Sequence, residues 1–226
     1  MPSSLQLALP FEPEAHYTEA DYIDADSNRE ARTWLDREAD WPDRQLLLWG
    51  EEGSGKTHLL HRWRERRGAV LLSGPFLTWP NAAPLAGRIG VDIADAAPQE
   101  ALLHLLNAAH EAGGTVVLAS RPPPALWPMT LADLRSRVRA MPAVGIAPAE
   151  EAMLQQLLGS LLAQRQLIVP EPVQEWMLLQ LPRTPAALRE AAARLDRAAL
   201  AGGRRVTRAL AADIVDELTS MWQRCD

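Results

Sequence analysis

Gly50-Glu51-Glu52-Gly53-Ser54-Gly55-Lys56-Thr57 decides the fold of this chain, because it matches the phosphate-loop pattern G-x-x-x-x-G-K-[ST] at every fixed position. The apolar run 45–49 precedes the loop and is typical of a buried parallel strand. Residues 57–67 follow it as a predicted helix with an apolar stripe on one face. A strand, a phosphate loop and a helix in this order predict a nucleotide-binding domain.

The residue types of the loop suit a bound polyphosphate. Glycines let the backbone N–H groups point inward, and the start of the helix adds favourable dipole charge. Lys56, the only lysine in the chain, is expected to reach the β- and γ-phosphates, and the Thr57 hydroxyl to hold Mg²⁺. The predicted phosphate-binding residues are Gly50, Gly53, Ser54, Gly55, Lys56 and Thr57.

Composition limits the classes of function. The chain has 226 residues, 47% of them apolar, which is enough for an α/β core with a small companion domain. Its net charge of −6 argues against sequence-independent DNA binding, and no segment has the length or apolarity of a membrane span. A single cysteine, Cys225, and the lack of a signal-peptide pattern predict a reducing, cytoplasmic location.

Strand and helix patterns alternate through residues 21–147 and predict a parallel five-stranded sheet with helices on both faces. The predicted strands are 45–49, 69–72, 88–93, 115–120 and 143–146, the first two of them buried. The predicted helices are one that begins at Asp26 or Ser27, with Glu30 closing a capping box on Ser27, and then 57–67, 98–112 and 131–139.

Residues 148–226 show only helical periodicity, with candidate helices at 149–165, 171–181, 185–201 and 207–222. They predict a small all-helical lid domain beside the sheet. Arg183 and Arg189 of this lid are candidates to contact a phosphate, although arginine is abundant there.

Acidic residues follow the third predicted strand. Asp92 is expected to organise Mg²⁺, unless it is an ordinary turn residue. An active ATPase usually carries a second acid directly after it, and here that position is Ile93. Asp95 could replace that acid only if the strand end is bulged. The sequence therefore predicts slow intrinsic hydrolysis or none.

Two further features invite a functional interpretation. Ser120 ends the fourth predicted strand, where it is either a sensor of the γ-phosphate or a turn-forming serine. Arg135, Arg137 and Arg139 lie within five residues of each other, either as a solvated face or with one arginine reaching a nucleotide held by a neighbouring subunit.

An apolar stretch of sequence lies near the amino terminus. Within residues 1–20, which are expected to form a tail, the sequence Gln6-Leu7-Ala8-Leu9-Pro10-Phe11 displays apolar groups with no neighbours to bury them. It either docks into a pocket on a partner or packs back on its own domain.

The stretch Gly55-Lys56-Thr57-His58-Leu59-Leu60-His61 resembles the phosphate-loop helix of the DnaA replication-initiator family. Ser27-Asn28-Arg29-Glu30-Ala31 is similar to the family's nucleotide-edge segment, and Asp133-Leu134-Arg135-Ser136-Arg137 to its arginine-finger motif. The resemblance covers about residues 15–220, which correspond to an AAA+ module with its lid. It does not extend to the DNA-binding domain of the initiator. It implies that Asn28 and His58 belong to the nucleotide site and that Arg137 is the finger.

Within that family, residues 6–11 resemble the clamp-binding motif of the Hda-like regulators. The resemblance implies binding to the sliding clamp, the β subunit of DNA polymerase III, through Gln6, Leu7, Leu9, Pro10 and Phe11. It also implies ADP or ATP with Mg²⁺ as ligands and DnaA as partner, without direct sequence-specific DNA binding. The chain would then stimulate ATP hydrolysis by DnaA and so inactivate it.

Other readings and properties stay open at this stage. A self-contained ATPase or a helicase-loading adaptor is the alternative function on the same fold. Whether the chain forms a homodimer, which lid arginine contacts the nucleotide and whether ADP or ATP is preferred do not follow from the residues. Ala186 occupies the place where the lid sensor arginine is usual, which leaves Arg183 or Arg189 as substitutes.

Overall fold

The computed structural model describes residues 22–78, 86–202 and 206–222. The chain divides into two compact units, one within residues 17–148 and the other containing residues 149–226. The first unit carries the phosphate loop and is built around a sheet, whereas the described part of the second unit is helical.

The sheet of the first unit contains five parallel strands in the spatial order β2-β3-β4-β1-β5. The strands are β1 (Gln45–Trp49), β2 (Val70–Ser73), β3 (Arg88–Asp92), β4 (Thr115–Ser120) and β5 (Ala143–Gly145). In the centre, Gln45 of β1 is in register with Val116 of β4, and Leu47 of β1 with Ala143 of β5. Because all strands are parallel, their carboxyl ends meet at one edge, where the phosphate loop begins.

Helices cover both faces of this sheet because successive residues of β1 point in opposite directions. Leu46 and Leu48 pack in one apolar cluster with helices α1 (Asp26–Asp36) and α2 (Lys56–Arg67). Leu47 packs in the other with α3 (Gln99–Glu111) and α4 (Ala132–Ala140). All three leucines are fully buried, as expected for a central parallel strand. The predicted fold class, a parallel five-stranded sheet with helices, is confirmed.

A half-buried carboxylate fixes α2 against the start of β3. Glu38 lies in a 3₁₀ turn after α1, and its side chain is only 14% exposed. It accepts hydrogen bonds from the indole of Trp63 at 2.7 Å and from Nε of Arg88 at 2.8 Å. Charge-assisted bonds of this kind are shorter and stronger than neutral ones, so the side of α2 away from the loop is held to the sheet.

Two sequence predictions about this unit are wrong in detail. The N-cap of α1 is Ala25, and the side chain that closes the first turn belongs to Asn28, whose Oδ1 accepts the Ala25 N–H at 3.2 Å. The predicted Ser27–Glu30 capping box therefore does not describe this helix. Strand β2 is an edge strand with Val70 54% exposed, since no described strand pairs with its outer side, and it is not the buried strand predicted.

The second unit has four described helices, close to the predicted ranges. They are α5 (Glu151–Gln164), α6 (Glu171–Gln180), α7 (Pro185–Gly202) and α8 (Arg208–Trp222). Helix α5 packs on α6 and α7, and α8 packs on both α6 and α7, which buries Leu158, Met177, Leu195 and Leu218. None of the helices within the described ranges is long and apolar enough to cross a membrane.

Candidate nucleotide-binding site

The phosphate loop leaves β1 at Trp49 and enters α2 at Lys56. Gly53 and Gly55 adopt φ values of 78° and 97°, in the left-handed region that is strained for any residue with a Cβ. Gly55 is also the N-cap of α2. These two glycines therefore let the chain reverse direction and start the helix within a few residues.

The first turn of α2 has the features of an anion site. Its N-cap glycine supplies no side-chain hydrogen bond, and none of its first residues is acidic. The first N–H groups of a helix have no partner within the helix, and the helix dipole favours negative charge there. A phosphate oxygen would satisfy both, so this turn fits the predicted ligand.

Lys56 is held over the loop by oxygens of the loop itself. Its Nζ donates to the carbonyls of Gly50 at 2.7 Å and Glu51 at 2.8 Å, and to Oγ of Ser54 at 3.2 Å. Ser54 is buried. Burial of the ammonium lowers the pKa of Lys56, an effect that the nearby Asp92 carboxylate opposes. The positive charge of Lys56 is thus held at the place where a polyphosphate would lie.

Thr57 and Asp92 form the second part of the site. The Thr57 hydroxyl donates to Oδ2 of Asp92 at 2.8 Å, and the other carboxylate oxygen accepts the Ile93 N–H at 3.0 Å. A threonine hydroxyl beside a carboxylate fits Mg²⁺, which in phosphate-loop proteins takes few protein ligands and several oxygens from phosphate and water. These two residues would hold the ion and would thereby neutralise phosphate charge.

The chain bends sharply after β3. Ile93 lies in the left-handed region at φ 52°, and residues 94–96 form a 3₁₀ turn. The Ile93 side chain is 50% exposed and offers no acid or base. The turn brings Asp95 to the end of β4, where its Oδ1 accepts the Arg121 N–H at 3.3 Å. Asp95 therefore lies at the same sheet edge as Asp92, but in a different element.

Tyr22 contacts the loop and was not predicted from the sequence. Its ring stands edge-on to the buried His58 ring, with centroids 4.9 Å apart, and a Cβ on Gly55 would lie 3.8 Å from it. The Arg62 guanidinium lies over the same ring, 5.3 Å from its centroid. The Tyr22 hydroxyl is buried and has no hydrogen-bond partner among the described residues, and burial raises its pKa.

The unpartnered hydroxyl of Tyr22 fits a bound nucleotide. A buried polar group without a partner is costly, and a nearby ligand with a polar edge would satisfy it. A nucleobase or ribose attached to phosphates in the loop supplies such an edge. His58, predicted for the same site, is placed on this side of α2 through its contact with Tyr22.

Asn28 has a structural part to play here. It is 1% exposed, its Nδ2 donates to the Ile23 carbonyl at 2.9 Å, and its Oδ1 accepts from Nε of Arg32 at 2.8 Å. Together with the Ala25 bond these contacts fix residues 22–25 against α1. The predicted role of Asn28 in nucleotide binding stays a prediction, and the contacts present position Tyr22.

Ser120 ends β4 next to the loop and is fully buried. Its carbonyl accepts the Gly50 N–H at 3.3 Å, and its hydroxyl donates to the Pro122 carbonyl at 2.8 Å. The second bond is that of a turn-forming serine, the alternative that the sequence left open. A sensor role would require the hydroxyl to exchange Pro122 for a phosphate oxygen.

The predicted arginine candidates lie in two places. Arg137 is half-buried on α4, and Arg135 of the same helix donates to the Met129 carbonyl at 3.4 Å. In the second unit, Arg183 pairs with Glu151 at 3.6 Å, and Arg189 is half-buried on α7. Their contacts with a nucleotide stay predictions. The predicted clamp motif, residues 6–11, lies outside the described residues.

Comparison with known proteins identifies the fold. The sequence matches no model of a protein family, and no curated protein matches it. Among solved structures, domain III of the replication initiation protein DnaA from Thermotoga maritima superposes with a TM-score of 0.77 at 18% identity, over 91% of this chain and 98% of that domain.

Two longer proteins are also similar. AMPPCP-bound DnaA from Aquifex aeolicus gives a TM-score of 0.62 at 17% identity, over 79% of this chain and 64% of that one. A RuvB variant of Thermotoga maritima gives a TM-score of 0.67 at 18% identity, over 87% of this chain and 71% of that one. At this identity the likeness shows the fold, which is that of the AAA+ phosphate-loop domains of DnaA and RuvB.

Proposed function

We propose that this chain binds an adenine nucleotide with Mg²⁺ and regulates the initiation of chromosome replication by stimulating ATP hydrolysis in DnaA. The observation that carries nucleotide binding is the 2.8 Å bond between Thr57 and Asp92 beside the half-buried Lys56 ammonium. Adenine is supported by the fold shared with an AMPPCP-bound DnaA and by the unpartnered hydroxyl of Tyr22.

The regulatory part of the proposal rests on two residues: Ile93, at the position where an active ATPase has its second acid, and Arg137 on α4. Hydrolysis needs a group that orients the attacking water, and the residue directly after Asp92 is the half-exposed Ile93. Arg137 lies on helix α4, an element that does not form part of the phosphate loop. We therefore assign Arg137 as an arginine finger offered to a nucleotide held by DnaA, as in regulators of the Hda type.

The remaining partners complete the proposal. Residues 6–11 hold the chain on the sliding clamp, so that its action is confined to replicating DNA, and no direct DNA contact is required. The net charge of −6 supports this division of roles, because a chain with an acidic balance gains little from the phosphate backbone.

A phosphate-release assay with ATP-bound DnaA and DNA-loaded clamp tests the finger. We expect Arg137→Ala to abolish the stimulation, because an arginine finger contributes roughly 10³–10⁵ in rate. Arg139→Ala, a matched change on an exposed residue of the same helix, is expected to retain it. Equal stimulation by the two variants would contradict the assignment, and no stimulation by the unaltered chain would contradict the regulatory function.

One observation favours the alternative, a self-contained ATPase or helicase-loading adaptor. Asp95 reaches the same sheet edge as Asp92, and both carboxylates act on the Lys56 ammonium. If Asp95 activates water, the purified chain alone turns over ATP and Asp95→Asn stops it. Our proposal expects slow turnover or none by the unaltered chain, and the same rate in Asp95→Asn.

A further inference from the structure

The phosphate loop carries two acids of its own. Glu51 and Glu52 occupy variable positions of the loop, and both side chains are more than three-quarters exposed, at 77% and 76%. A carboxylate beside a polyphosphate repels it, and the repulsion grows with the charge of the ligand. These glutamates therefore bear on how many phosphates the loop accepts.

Arg121 pairs with both glutamates. Its Nε lies 3.7 Å from Oε2 of Glu51, and its Nη1 lies 3.5 Å from Oε2 of Glu52. The residue directly follows β4, and Asp95 anchors its backbone through the N–H. The guanidinium therefore reaches the loop from the neighbouring strand end. We call these three side chains the Glu51–Arg121–Glu52 bridge.

The bridge acts on the group that would hold the phosphates. Burial lowers the pKa of Lys56, the carboxylates of Asp92, Asp95 and Glu51 raise it, and Arg121 lowers it. Each of these groups is thus within electrostatic range of the ammonium. With Asp92 assigned to Mg²⁺, Arg121 is the cation that offsets the carboxylates of the loop.

We propose that the Glu51–Arg121–Glu52 bridge determines the phosphate-number specificity of the site. The two glutamates disfavour a nucleoside triphosphate more than a diphosphate, and Arg121 reduces that difference. The inference rests on the proposed binding of adenine nucleotide to this loop. It adds a determinant of specificity that the fixed positions of the phosphate-loop pattern do not include. This determinant consists of two variable loop positions and the residue after β4.

The affinity ratio for two ligands tests the inference. Calorimetry with Mg-ADP and with Mg-AMPPCP, which is not hydrolysed, gives the two dissociation constants for each variant. We expect the double variant Glu51→Gln, Glu52→Gln to shift the ratio towards the triphosphate by about twofold to fivefold, as for exposed charge interactions. Arg121→Gln is expected to shift it towards the diphosphate by a similar factor.

Matched controls separate local from global charge. The double variant Glu65→Gln, Glu111→Gln and the single variant Arg44→Gln make the same charge changes at exposed residues near the opposite, amino edge of the sheet. Both are expected to leave the ratio unchanged. At an ionic strength of about 1 M, where screening acts over roughly 3 Å, the shifts caused by the bridge variants should shrink.

The outcomes distinguish this inference from the function beneath it. If the unaltered chain binds neither ligand, the proposed nucleotide binding is wrong. If it binds both, while the bridge variants change the two affinities equally or match their controls, nucleotide binding stands and the specificity role is overturned. If Arg121→Gln changes both affinities by the same factor at low and at high salt, Arg121 has only a structural role.

Discussion

At the scale of single residues, Tyr22 has the environment that calls most clearly for a ligand. Its hydroxyl is buried beside the phosphate loop without a partner among the described residues. An unsatisfied buried polar group costs about 1–3 kcal/mol. A nucleotide that bonds to this hydroxyl would remove the cost and would gain affinity from it.

Tyr22→Phe therefore has opposite effects with and without nucleotide. Without it, we expect the free energy of unfolding to rise by about 1 kcal/mol, because the orphaned hydroxyl is gone. With Mg-ADP, we expect binding to weaken about threefold to tenfold, the worth of one hydrogen bond. Chemical denaturation and calorimetry measure the two effects. A less stable variant with unchanged affinity would contradict both expectations.

The sequence predicted the residues whose spacing defines the phosphate loop, and the structure brings Lys56, Thr57 and Asp92 together. It did not predict Tyr22 or Arg121. Their positions depend on which segments meet in three dimensions: Tyr22 reaches Gly55 through the Asn28 contacts, and Arg121 reaches the loop because β4 lies next to β1. Neither residue carries a spacing signal of its own.

At the scale of elements, two turns pack backbone against backbone at the site. A Cβ added to Gly74, in the 3₁₀ turn after β2, would lie 2.2 Å from the Ile93 carbonyl oxygen and 3.0 Å from that of Asp92. No side chain fits there unless the end of β3 moves. The position of Asp92 thus depends on a glycine in the neighbouring turn.

Gly74→Ala is expected to destabilise the chain by about 1–3 kcal/mol or more through overpacking, and to weaken Mg-nucleotide binding by displacing Asp92. Gly159→Ala is its matched control, because a Cβ there has no atom within 4 Å and lies inside α5. That control should stabilise by roughly 0.5–1 kcal/mol. Thermal unfolding with and without Mg-ADP compares them, and equal behaviour of the two variants would refute the packing argument.

Elements with strong patterns were predicted closely, and those set by their neighbours were not. Strands β1 and β4 have the predicted bounds, because a run buried on both faces carries its own signal. Strand β2 has a similar apolar run, yet it lies at the edge of the sheet, since strand order is not encoded in one segment. The N-cap of α1 shifted to Ala25 because Asn28 competes for the capping role.

At the scale of the whole molecule, the proposed function combines a candidate nucleotide site, the candidate finger Arg137 on α4 and the predicted clamp motif at residues 6–11. The fold alone does not require this combination, because one fold can host many unrelated functions. The proposal therefore depends on separable parts, each of which can be removed without the others.

The predicted clamp motif, residues 6–11, is the first of these parts. We expect alanine at Gln6, Leu9 and Phe11 to reduce binding to immobilised sliding clamp by roughly 100-fold or more, since two large apolar anchors are lost. Nucleotide affinity should not change, because the phosphate loop and its contacts are left intact. Surface plasmon resonance measures the first and calorimetry the second. Undiminished clamp binding would show that residues 6–11 are not the docking segment.

Nucleotide binding at the loop is a further part, and a calorimetric titration of Mg-ADP into the chain and into Lys56→Ala tests it most directly. We expect saturable binding by the unaltered chain and a loss of affinity of roughly 10- to 100-fold in the variant, the worth of a charge-assisted contact to phosphate. Absence of binding by the unaltered chain, or equal affinity in both proteins, would contradict it.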